Sequence, residues 1–392
     1  MSFRPTGFSR RRLLQGALAG AAGLGLAATP WSRGLAASGA VNLADIGVGD
    51  PGSWERFTDR SGWDVNLIAI GNAPSAVINV MLGGGGVQSY DAIHIVGGVQ
   101  KPLVELGLIQ PIEPERMPNW AKDDFIARFM QPGTGGYEAI GYQGRIYGVP
   151  TIIQGESICY RPDLTQEPIG SFGALFDPKW RGNVALEDNY NAALLKAAIY
   201  LKHAGLVEIG NVSDMTPSEI NSVVNFMIDR KKEGQFRLLW SSYQQGVDLL
   251  ANGEVYILDG WEPMVYAVQA KGIDCLYAVP EEGYLMWAMA GYLTNNPNRP
   301  PERTQAVYDL FDFMLGPWYG ARISATRGYL TNSQAVPFAK AHPELFEPGE
   351  AEEAEKVQEN VLFKANHAAV WHERWPTNIH VLESEWARFK AA

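Results

Sequence analysis

The stretch LDGWEPMVYA, residues 258–267, sets a tryptophan, a glutamate and a proline directly after an apolar run that is typical of a buried strand. An indole face attracts ammonium groups through the ring quadrupole, and a carboxylate accepts charge-assisted hydrogen bonds from them. Trp261 and Glu262 carry groups of these two kinds, and whether they meet a ligand depends on where the fold places them. Two alternatives stay open: the tryptophan fills the core, and Glu262 favours the dipole of a helix that begins beside it.

Residue types that support catalysis or metal binding are not arranged for either task. The six histidines are scattered, His367 and His372 being the nearest pair, and no HExxH, GxSxG or P-loop motif occurs. We therefore expect no metal site, no cofactor and no enzyme activity.

Residues 1–40 have the order of a twin-arginine export signal. Arg10, Arg11 and Arg12 precede an apolar run of about sixteen residues, and small residues follow it. This run is shorter than the roughly 20 residues that span a bilayer, so a membrane anchor is the weaker alternative. No cysteine follows the run to accept a lipid. We expect a protein that is free in the periplasm or outside the cell.

Composition limits the size class and the partners. Of the 32 basic residues, five lie in the leader, which leaves 27 against 43 acidic residues and a net charge near −16. Such a surface repels phosphate backbones, so we expect no nucleic-acid partner. The remaining length exceeds what one hydrophobic core usually covers and favours two lobes. Cys159 and Cys275 lie in strand-like runs, where a disulfide and two buried thiols are both open.

Alternating strand-like and helix-like segments predict a mostly parallel sheet with helices on both faces. VNLADIGVG, WDVNLIAIG and SYDAIHIVGG are the first predicted strands. Ligands bind beyond the carboxyl ends of such strands, which places residues 47–50, 71–74 and 96–98 on one rim. Asp50, Gly97 and Gly98 are the candidate contacts there.

The second half of the chain continues this alternation. TPSEINSVVNFMIDRKKEG predicts a helix with Thr216 as its cap, Pro217 as its first residue and Glu219 completing a capping box. The strand NVAL ends in Glu187 and Asp188, which are either ligand acids or a turn and helix cap.

Six segments carry an ordered set of motifs over most of the chain after the leader: SYDAIHIVGGVQKPLVELGLIQPIE, IYGVPTIIQGESICYRPD, FGALFDPKWRGNVALEDN, WSSYQQGVDLLANGEVYILDGWEPMVYAVQAKGI, EEGYLMWAMAGYLTNN and RGYLTNSQA. In order and spacing they resemble the extracellular solute-binding proteins of ABC importers, in the branch related to the spermidine- and putrescine-binding proteins. The resemblance implies an α/β fold of the type II periplasmic binding protein kind.

In that fold each of two lobes is a mixed, mostly parallel sheet flanked by helices, and the ligand cleft lies between the lobes. The resemblance implies crossing segments near residues 149–154, 284–289 and 327–332. Residues 41–150 and 290–327 would form the first lobe, and residues 151–289 and 328–392 the second. Hinge closure around a ligand is the expected motion.

The resemblance further implies a monomer that binds a small solute in the periplasm and delivers it to an ABC permease in the inner membrane. Trp261 and Trp287 would be ring walls of the cleft, with Glu262, Glu187 and Asp188 as its acids. Other candidates lie near the crossings or before the VYIL strand: Gln154, Glu156, Ser157, Trp240, Tyr243 and Arg327. Arg327 would meet a ligand carboxylate through a bidentate fork, or only pair with surface acids.

The sequence departs from the family pattern at Met289, which stands where the polyamine binders have an amine-pairing aspartate. A smaller cation, a zwitterion or a quaternary amine is therefore favoured over a long polyamine. Three other functions stay open. A ferric-ion binder is disfavoured because no Tyr-Tyr pair supplies ligands. An exported enzyme and a ligand sensor that docks on a receptor are the alternatives of other classes.

Overall fold

The computed structural model describes residues 39–47, 49–71, 74–83, 86–372 and 375–392. Apart from its last two positions, the predicted export signal lies outside the described residues, as do Val48, Asn72 and Ala73 of the predicted rim. None of the described helices combines the length and the apolar character that a membrane crossing requires.

The strands are β1 (Ala40–Asp45), β2 (Asp64–Ala69), β3 (Ala92–Val96), β4 (Gly141–Tyr142), β5 (Arg145–Ile146), β6 (Gly148–Tyr160), β7 (Val184–Glu187), β8 (Phe236–Trp240), β9 (Ile257–Gly260), β10 (Leu276–Tyr277), β11 (Tyr284–Leu293) and β12 (Ala368–Trp371). The α-helices are α1 (Trp54–Ser61), α2 (Pro74–Leu82), α3 (Gly86–Ser89), α4 (Gln100–Glu105), α5 (Asp124–Phe129), α6 (Tyr137–Ile140), α7 (Pro162–Thr165), α8 (Leu195–His203), α9 (Pro217–Lys232), α10 (Tyr243–Ala251), α11 (Glu262–Gln269), α12 (Pro301–Met314), α13 (Pro317–Arg327), α14 (Ala335–Ala341), α15 (Glu350–Asn366) and α16 (Ile379–Ala391).

Ten of these strands form one long sheet, with the main order β2-β1-β3-β11-β6-β9-β7-β8. Within each half the outer strands are parallel: β1 pairs with β2 and β3, and β7 pairs with β8 and β9. The strands β6 and β11 run antiparallel to their neighbours β3 and β9 and to each other. This mixed, mostly parallel pattern on two sides of a central strand pair confirms the predicted two-lobe architecture.

The long strand β6 connects the two halves of the sheet. Its first part pairs with β11, and its last residues, from Ser157 to Tyr160, pair with β9. Leu330 adds a third segment, because its backbone exchanges hydrogen bonds of 2.7 and 3.3 Å with Ile153. The three segments predicted as crossings therefore lie side by side.

Buried apolar side chains form a first core around β1, β3, α12 and α13, and second and third cores on the faces of the β7–β9 sheet. The first core also contains Val357 and Val361 of α15, whereas Leu382 and Phe389 of α16 belong to the second. α15 packs against α13 and α14. The sequence-based division assigned α14 and α15 to the second lobe and stays a prediction; both helices pack against α13, which that division places in the first lobe.

The N-terminus of α9 has the capping box that its sequence predicts. The Thr216 hydroxyl accepts a hydrogen bond from the Glu219 N–H, and the Glu219 carboxylate accepts one from the Thr216 N–H at 2.6 Å. Two of the N–H groups that a helix start leaves unpaired are thereby satisfied.

Candidate ligand-binding cleft

An aromatic wall forms where β8 and β9 end, and its members are Trp240, Tyr243 and Trp261. Trp240 is 1% exposed, donates its indole N–H to the Asp259 carbonyl at 2.7 Å, and meets Trp261 edge to face at 5.4 Å between ring centroids. Tyr243 stacks on the Trp261 ring at 6.4 Å and donates its hydroxyl to the Pro263 carbonyl. Trp240 is thus a core residue that orients Trp261, and Trp261 and Tyr243 are the partly exposed members of the wall.

The cleft floor is built by the crossing segments. Trp287 of β11 meets Tyr329 edge to face at 5.9 Å between centroids. Gln154, which pairs in register with Trp287, donates its amide to the Gly328 carbonyl at 2.7 Å and so fixes the segment that carries Arg327 and Tyr329.

The wall and the floor meet at one place. Burial raises the pKa of Tyr243, the neighbouring Tyr329 raises it further, and the positive charge of Arg327 opposes the rise. These influences require the three side chains to be near one another, since Coulomb interactions weaken with distance. Tyr243, Tyr329 and Arg327 therefore share one electrostatic environment, in which Trp261 contacts Tyr243 and Trp287 contacts Tyr329.

A buried group of charges lies behind the wall, and we call Lys196, Glu156, Asp259 and Glu187 the Lys196 cluster. The Lys196 ammonium, which is fully buried on α8, contacts Asp259 at 2.5 Å and Glu156 at 2.7 Å. Burial alone would lower the pKa of Lys196, but the surrounding carboxylates outweigh it and raise that pKa. Lys196 therefore stays charged, and its single positive charge is shared between Asp259 and Glu156.

Glu187 is the carboxyl group of this cluster that has no ion pair with a described residue. Its oxygens accept hydrogen bonds from the Trp261 indole N–H at 3.1 Å and from the Asn189 amide at 3.2 Å. Burial, followed by repulsion from Glu156 and Asp259, raises the pKa of Glu187 to about 8. At neutral pH Glu187 is thus mostly protonated and linked directly to the aromatic wall.

Glu262 belongs to a second group, the Lys364 cluster, which consists of Lys364, Glu262, Gln154 and Asn360. The Glu262 carboxylate contacts the Lys364 ammonium at 2.7 Å and the Asn360 amide at 2.8 Å. Lys364 also donates to Gln154 at 3.0 Å and lies 4.9 Å from the ring centroid of Tyr277. A lysine of the chain already occupies the position between acid and aromatic ring that the sequence suggested for a ligand amine.

Several other predicted site residues are engaged within the protein. Asp188 accepts from the Trp386 indole at 3.0 Å and pairs with Lys390 at 3.1 Å. The buried Ser157 hydroxyl donates to the Ala278 carbonyl, and Asp50 accepts from Ser53 at 2.8 Å. All three side chains thus have partners within the protein, and their contact with a ligand stays a prediction.

The remaining predicted positions on the first half of the sheet shape the backbone. Gly97 donates its N–H to the Ala288 carbonyl at 3.0 Å, and Gly98 turns the chain with φ of 88°, a value that glycine adopts most readily. Met289 is fully buried between β3 and β6. Cys159 and Cys275 are buried free thiols in this structure, not a disulfide.

The residues that sequence reasoning missed are Lys196, Lys364 and Tyr329. Both lysines stand inside apolar helical runs, LLKAAIYL and NVLFKANHA, and a charge in such a run indicates a buried partner. Tyr329 lies in the predicted third crossing. Among the residues that the structure describes, no group of three or more His, Cys, Asp or Glu side chains is placed to hold a metal ion.

A family model described as bacterial extracellular solute-binding protein matches residues 54–347. The chain belongs to this family. This solute-binding protein is also 24% identical over 295 residues, which are 73% of its own chain and 76% of the relative, to the putrescine/agmatine-binding protein of Pseudomonas aeruginosa.

Solved structures share the fold at low sequence identity. The Tp0655 (TpPotD) lipoprotein of Treponema pallidum superposes with a TM-score of 0.65 at 13% identity, covering 89% of this chain and 99% of that one. The spermidine/putrescine ABC transporter substrate-binding protein of Streptococcus pneumoniae gives a TM-score of 0.63 at 14% identity, covering 90% and 99%. These comparisons confirm the predicted family, the two-lobe fold and the role as an extracellular solute-binding protein.

Proposed function

We propose that this protein captures a small amine-containing solute against the aromatic wall and delivers it to an ABC permease. The observation that carries the proposal is the contact between Trp261 and Glu187 at the carboxyl ends of β7 and β9. An ammonium group in front of the Trp261 ring gains from the ring quadrupole, and an adjacent carboxylate accepts its hydrogen bonds.

Glu187 has the properties of a carboxyl group that ionises when a cation arrives. Its pKa of about 8 reflects burial beside two other acids, and a nearby positive charge favours the ionised form. Binding of a cation at neutral pH would therefore release a proton from Glu187. Closure of the lobes would exclude water and strengthen the resulting pair.

The small number of carboxyl groups near the cleft that lack an ion pair favours a short solute with one cationic end. Glu262 is paired with Lys364, Asp188 with Lys390, and both Glu156 and Asp259 with Lys196. A long polyamine would need several acids that are not already paired. The name of the Pseudomonas aeruginosa relative, a putrescine/agmatine-binding protein, supports an amine as the solute.

For the moving parts we propose a first lobe made of residues 41–150 and 290–366 and a second made of residues 151–289 and 368–392. The packing of α15 on α13 and α14 supports the shift of the boundary beyond residue 327. The crossing segments in β6, β11 and around Leu330 would act as the hinge.

We further propose that the protein is a monomer in the periplasm, exported by the twin-arginine route. The motif at Arg10, Arg11 and Arg12 supports this route. Replacing the three arginines by lysine is expected to leave the precursor in the cytoplasm, as measured by cell fractionation. Unchanged export of the variant would contradict the proposed route.

The test of the solute class is thermal unfolding of the purified protein with diamines, polyamines, betaines, amino acids, sugars and ferric citrate at about 1 mM each. A ligand of micromolar affinity at that excess stabilises the native state by roughly 4 kcal/mol, which raises the midpoint by several degrees. We expect only amine-containing solutes to do so. A shift with a sugar or ferric citrate alone would contradict the proposal.

A further inference from the structure

The cleft floor contains a buried donor without an acceptor. The indole nitrogen of Trp287 is inaccessible to solvent and has no hydrogen-bond partner among the residues that the structure describes. Leaving a buried N–H unpaired is costly, and native proteins rarely do so without a ligand or an ordered water to accept from it. Trp261, by contrast, donates its indole N–H to Glu187.

A cation belongs to the segment that contacts Trp287, because Arg327 lies two residues before Tyr329, whose ring meets that of Trp287 at 5.9 Å between centroids. Arg327 ends α13 next to Gly328, and the Gln154 amide ties the Gly328 carbonyl to the strand position that pairs with Trp287. The Arg327 guanidinium donates to the Gly49 carbonyl at 3.2 Å. Within the described part of the chain, no carboxylate lies at ion-pair distance from it.

The two acids that flank Gly49 in the chain, Asp45 and Asp50, are engaged elsewhere. Asp45 accepts from the His94 ring at 2.6 Å, and Asp50 accepts from Ser53 at 2.8 Å and from Arg322 at 3.4 Å. The guanidinium therefore keeps donors for a further acceptor. Its planar array of N–H groups matches the two oxygens of a carboxylate.

The two ends of the cleft thus offer opposite chemistry. The wall presents ring faces and Glu187 to a cation, whereas the floor presents the Arg327 guanidinium to an acceptor. The Trp287 N–H of the floor is buried in this structure and would reach that acceptor only when the lobes move. Tyr243 stacks on the Trp261 ring of the wall, Tyr329 meets the Trp287 ring of the floor, and the charge of Arg327 opposes the raised pKa of both tyrosines.

We infer that the solute carries a carboxylate as well as an amine, and that Arg327 and the Trp287 indole bind this carboxylate at the cleft floor. This inference rests on the proposed function, which supplies the amine end. The class of ligand is a short zwitterion with its charges at opposite ends, rather than a diamine.

The test compares straight-chain amino carboxylates with the diamines of matching length, by titration calorimetry on the full exported protein and its variants. We expect at least one amino carboxylate to bind about tenfold or more tightly than its diamine partner. Arg327→Gln should weaken that amino carboxylate by about tenfold or more while leaving the diamine unchanged or tighter. Trp287→Phe should weaken it by a smaller factor, and Arg116→Gln, a surface arginine paired with Glu113, should change neither.

The outcomes separate the two proposals. Tighter binding of the diamines, with no effect of Arg327→Gln, overturns the carboxylate inference and leaves the amine proposal standing. Binding of dicarboxylates alone, lost in Arg327→Gln, overturns the proposed amine function and with it the zwitterion, while Arg327 remains a carboxylate site. Failure of the whole amino carboxylate series to bind overturns the inference as well. Circular dichroism and the unfolding midpoint of each variant show whether it is folded.

Discussion

The Lys196 cluster and the Lys364 cluster are built from the same groups but differ in their balance of charge. In the Lys364 cluster one lysine meets one acid, and the amides of Asn360 and Gln154 complete the hydrogen bonds. In the Lys196 cluster one lysine meets two acids directly, and a third, Glu187, is left with a raised pKa. Glu187, the acid of this cluster without an ion pair to a described residue, is the one that contacts the aromatic wall.

This difference shows why an acid next to a tryptophan in the sequence is a weak guide to a binding site. Glu262 follows Trp261 directly, yet its charge is neutralised by Lys364, 102 residues later. Glu187, far from Trp261 in sequence, accepts the indole N–H. What decides the role of each acid is the number of ammonium groups that the fold brings to it.

The largest expected effect on stability comes from removing the lysine of the Lys196 cluster. Lys196→Met leaves Asp259 and Glu156 without their cation, and Asp259 is fully buried. Breaking a buried ion pair from one side costs about 3–5 kcal/mol, and we expect a loss of that size in urea unfolding. Adding Asp259→Asn should recover part of it. A loss below about 1 kcal/mol would contradict the account.

The raised pKa of Glu187 makes stability depend on pH. The folded protein holds the proton up to pH about 8 and the unfolded chain only to about 4.5, so raising the pH between these values favours unfolding. The slope is at most about 1.4 kcal/mol per pH unit. Relative to Glu187→Gln, the wild type should lose stability across this window.

His372 also makes stability depend on pH, but in a lower pH range than Glu187. Burial lowers the pKa of His372 from 6.5 to about 4. Because the unfolded chain binds this proton more readily than the folded protein, the free energy of unfolding falls as the pH is lowered from about 6.5 to about 4. Above pH about 6.5 the slope attributed to Glu187 should therefore appear without an opposing contribution from His372. The free energy of unfolding of wild type and Glu187→Gln can be measured in urea at a series of pH values. Equal slopes against pH for the two proteins would contradict this explanation.

The Lys364 cluster should lose less stability than the Lys196 cluster when its lysine is removed. In Lys364→Met the Glu262 carboxylate keeps the Asn360 amide and is 11% exposed, so we expect a loss of about 1–3 kcal/mol. Lys356→Met, on the same helix but 49% exposed, is the matched control and should stay within about 0.5 kcal/mol. A larger loss for Lys364→Met than for Lys196→Met would reverse the comparison.

The smallest expected difference separates the two indoles of the cleft. Trp261→Phe removes the hydrogen bond to Glu187, whereas Trp287→Phe removes an N–H that has no partner among the described residues. Because both variants lose the same atoms, the difference in their unfolding free energies isolates that hydrogen bond, at about 1–2 kcal/mol. Equal losses would mean that the Trp261 bond adds no stability.

Much of the fold follows from local patterns in the sequence. The capping box at Thr216, the alternation of strands and helices, and the crossing segments all depend on neighbouring residues or on ordered motifs, and the structure contains each of them. The position of α15 was not predictable in this way. Its acidic outer face hides the apolar residues, Val357 and Val361, that join the first core.

The candidate site was predictable only in part. Aromatic residues at strand ends, such as Trp261 and Tyr243, come together as the strand pattern implies. The partners of the acids did not follow from the pattern, because Lys196 and Lys364 reach them from helices remote in sequence. Ion pairing between distant segments leaves no periodic signal, so acids that are neutralised and acids that are not look alike in the sequence.

The central claim is that Glu187, and not Glu262, pairs with the amine of the solute. The direct measurement is the affinity of the strongest amine from the thermal panel for wild type, Glu187→Gln and Glu262→Gln, by titration calorimetry at one pH. We predict about tenfold or greater weakening for Glu187→Gln and less than about threefold for Glu262→Gln. The opposite ranking would contradict the account and return the amine to the Lys364 cluster.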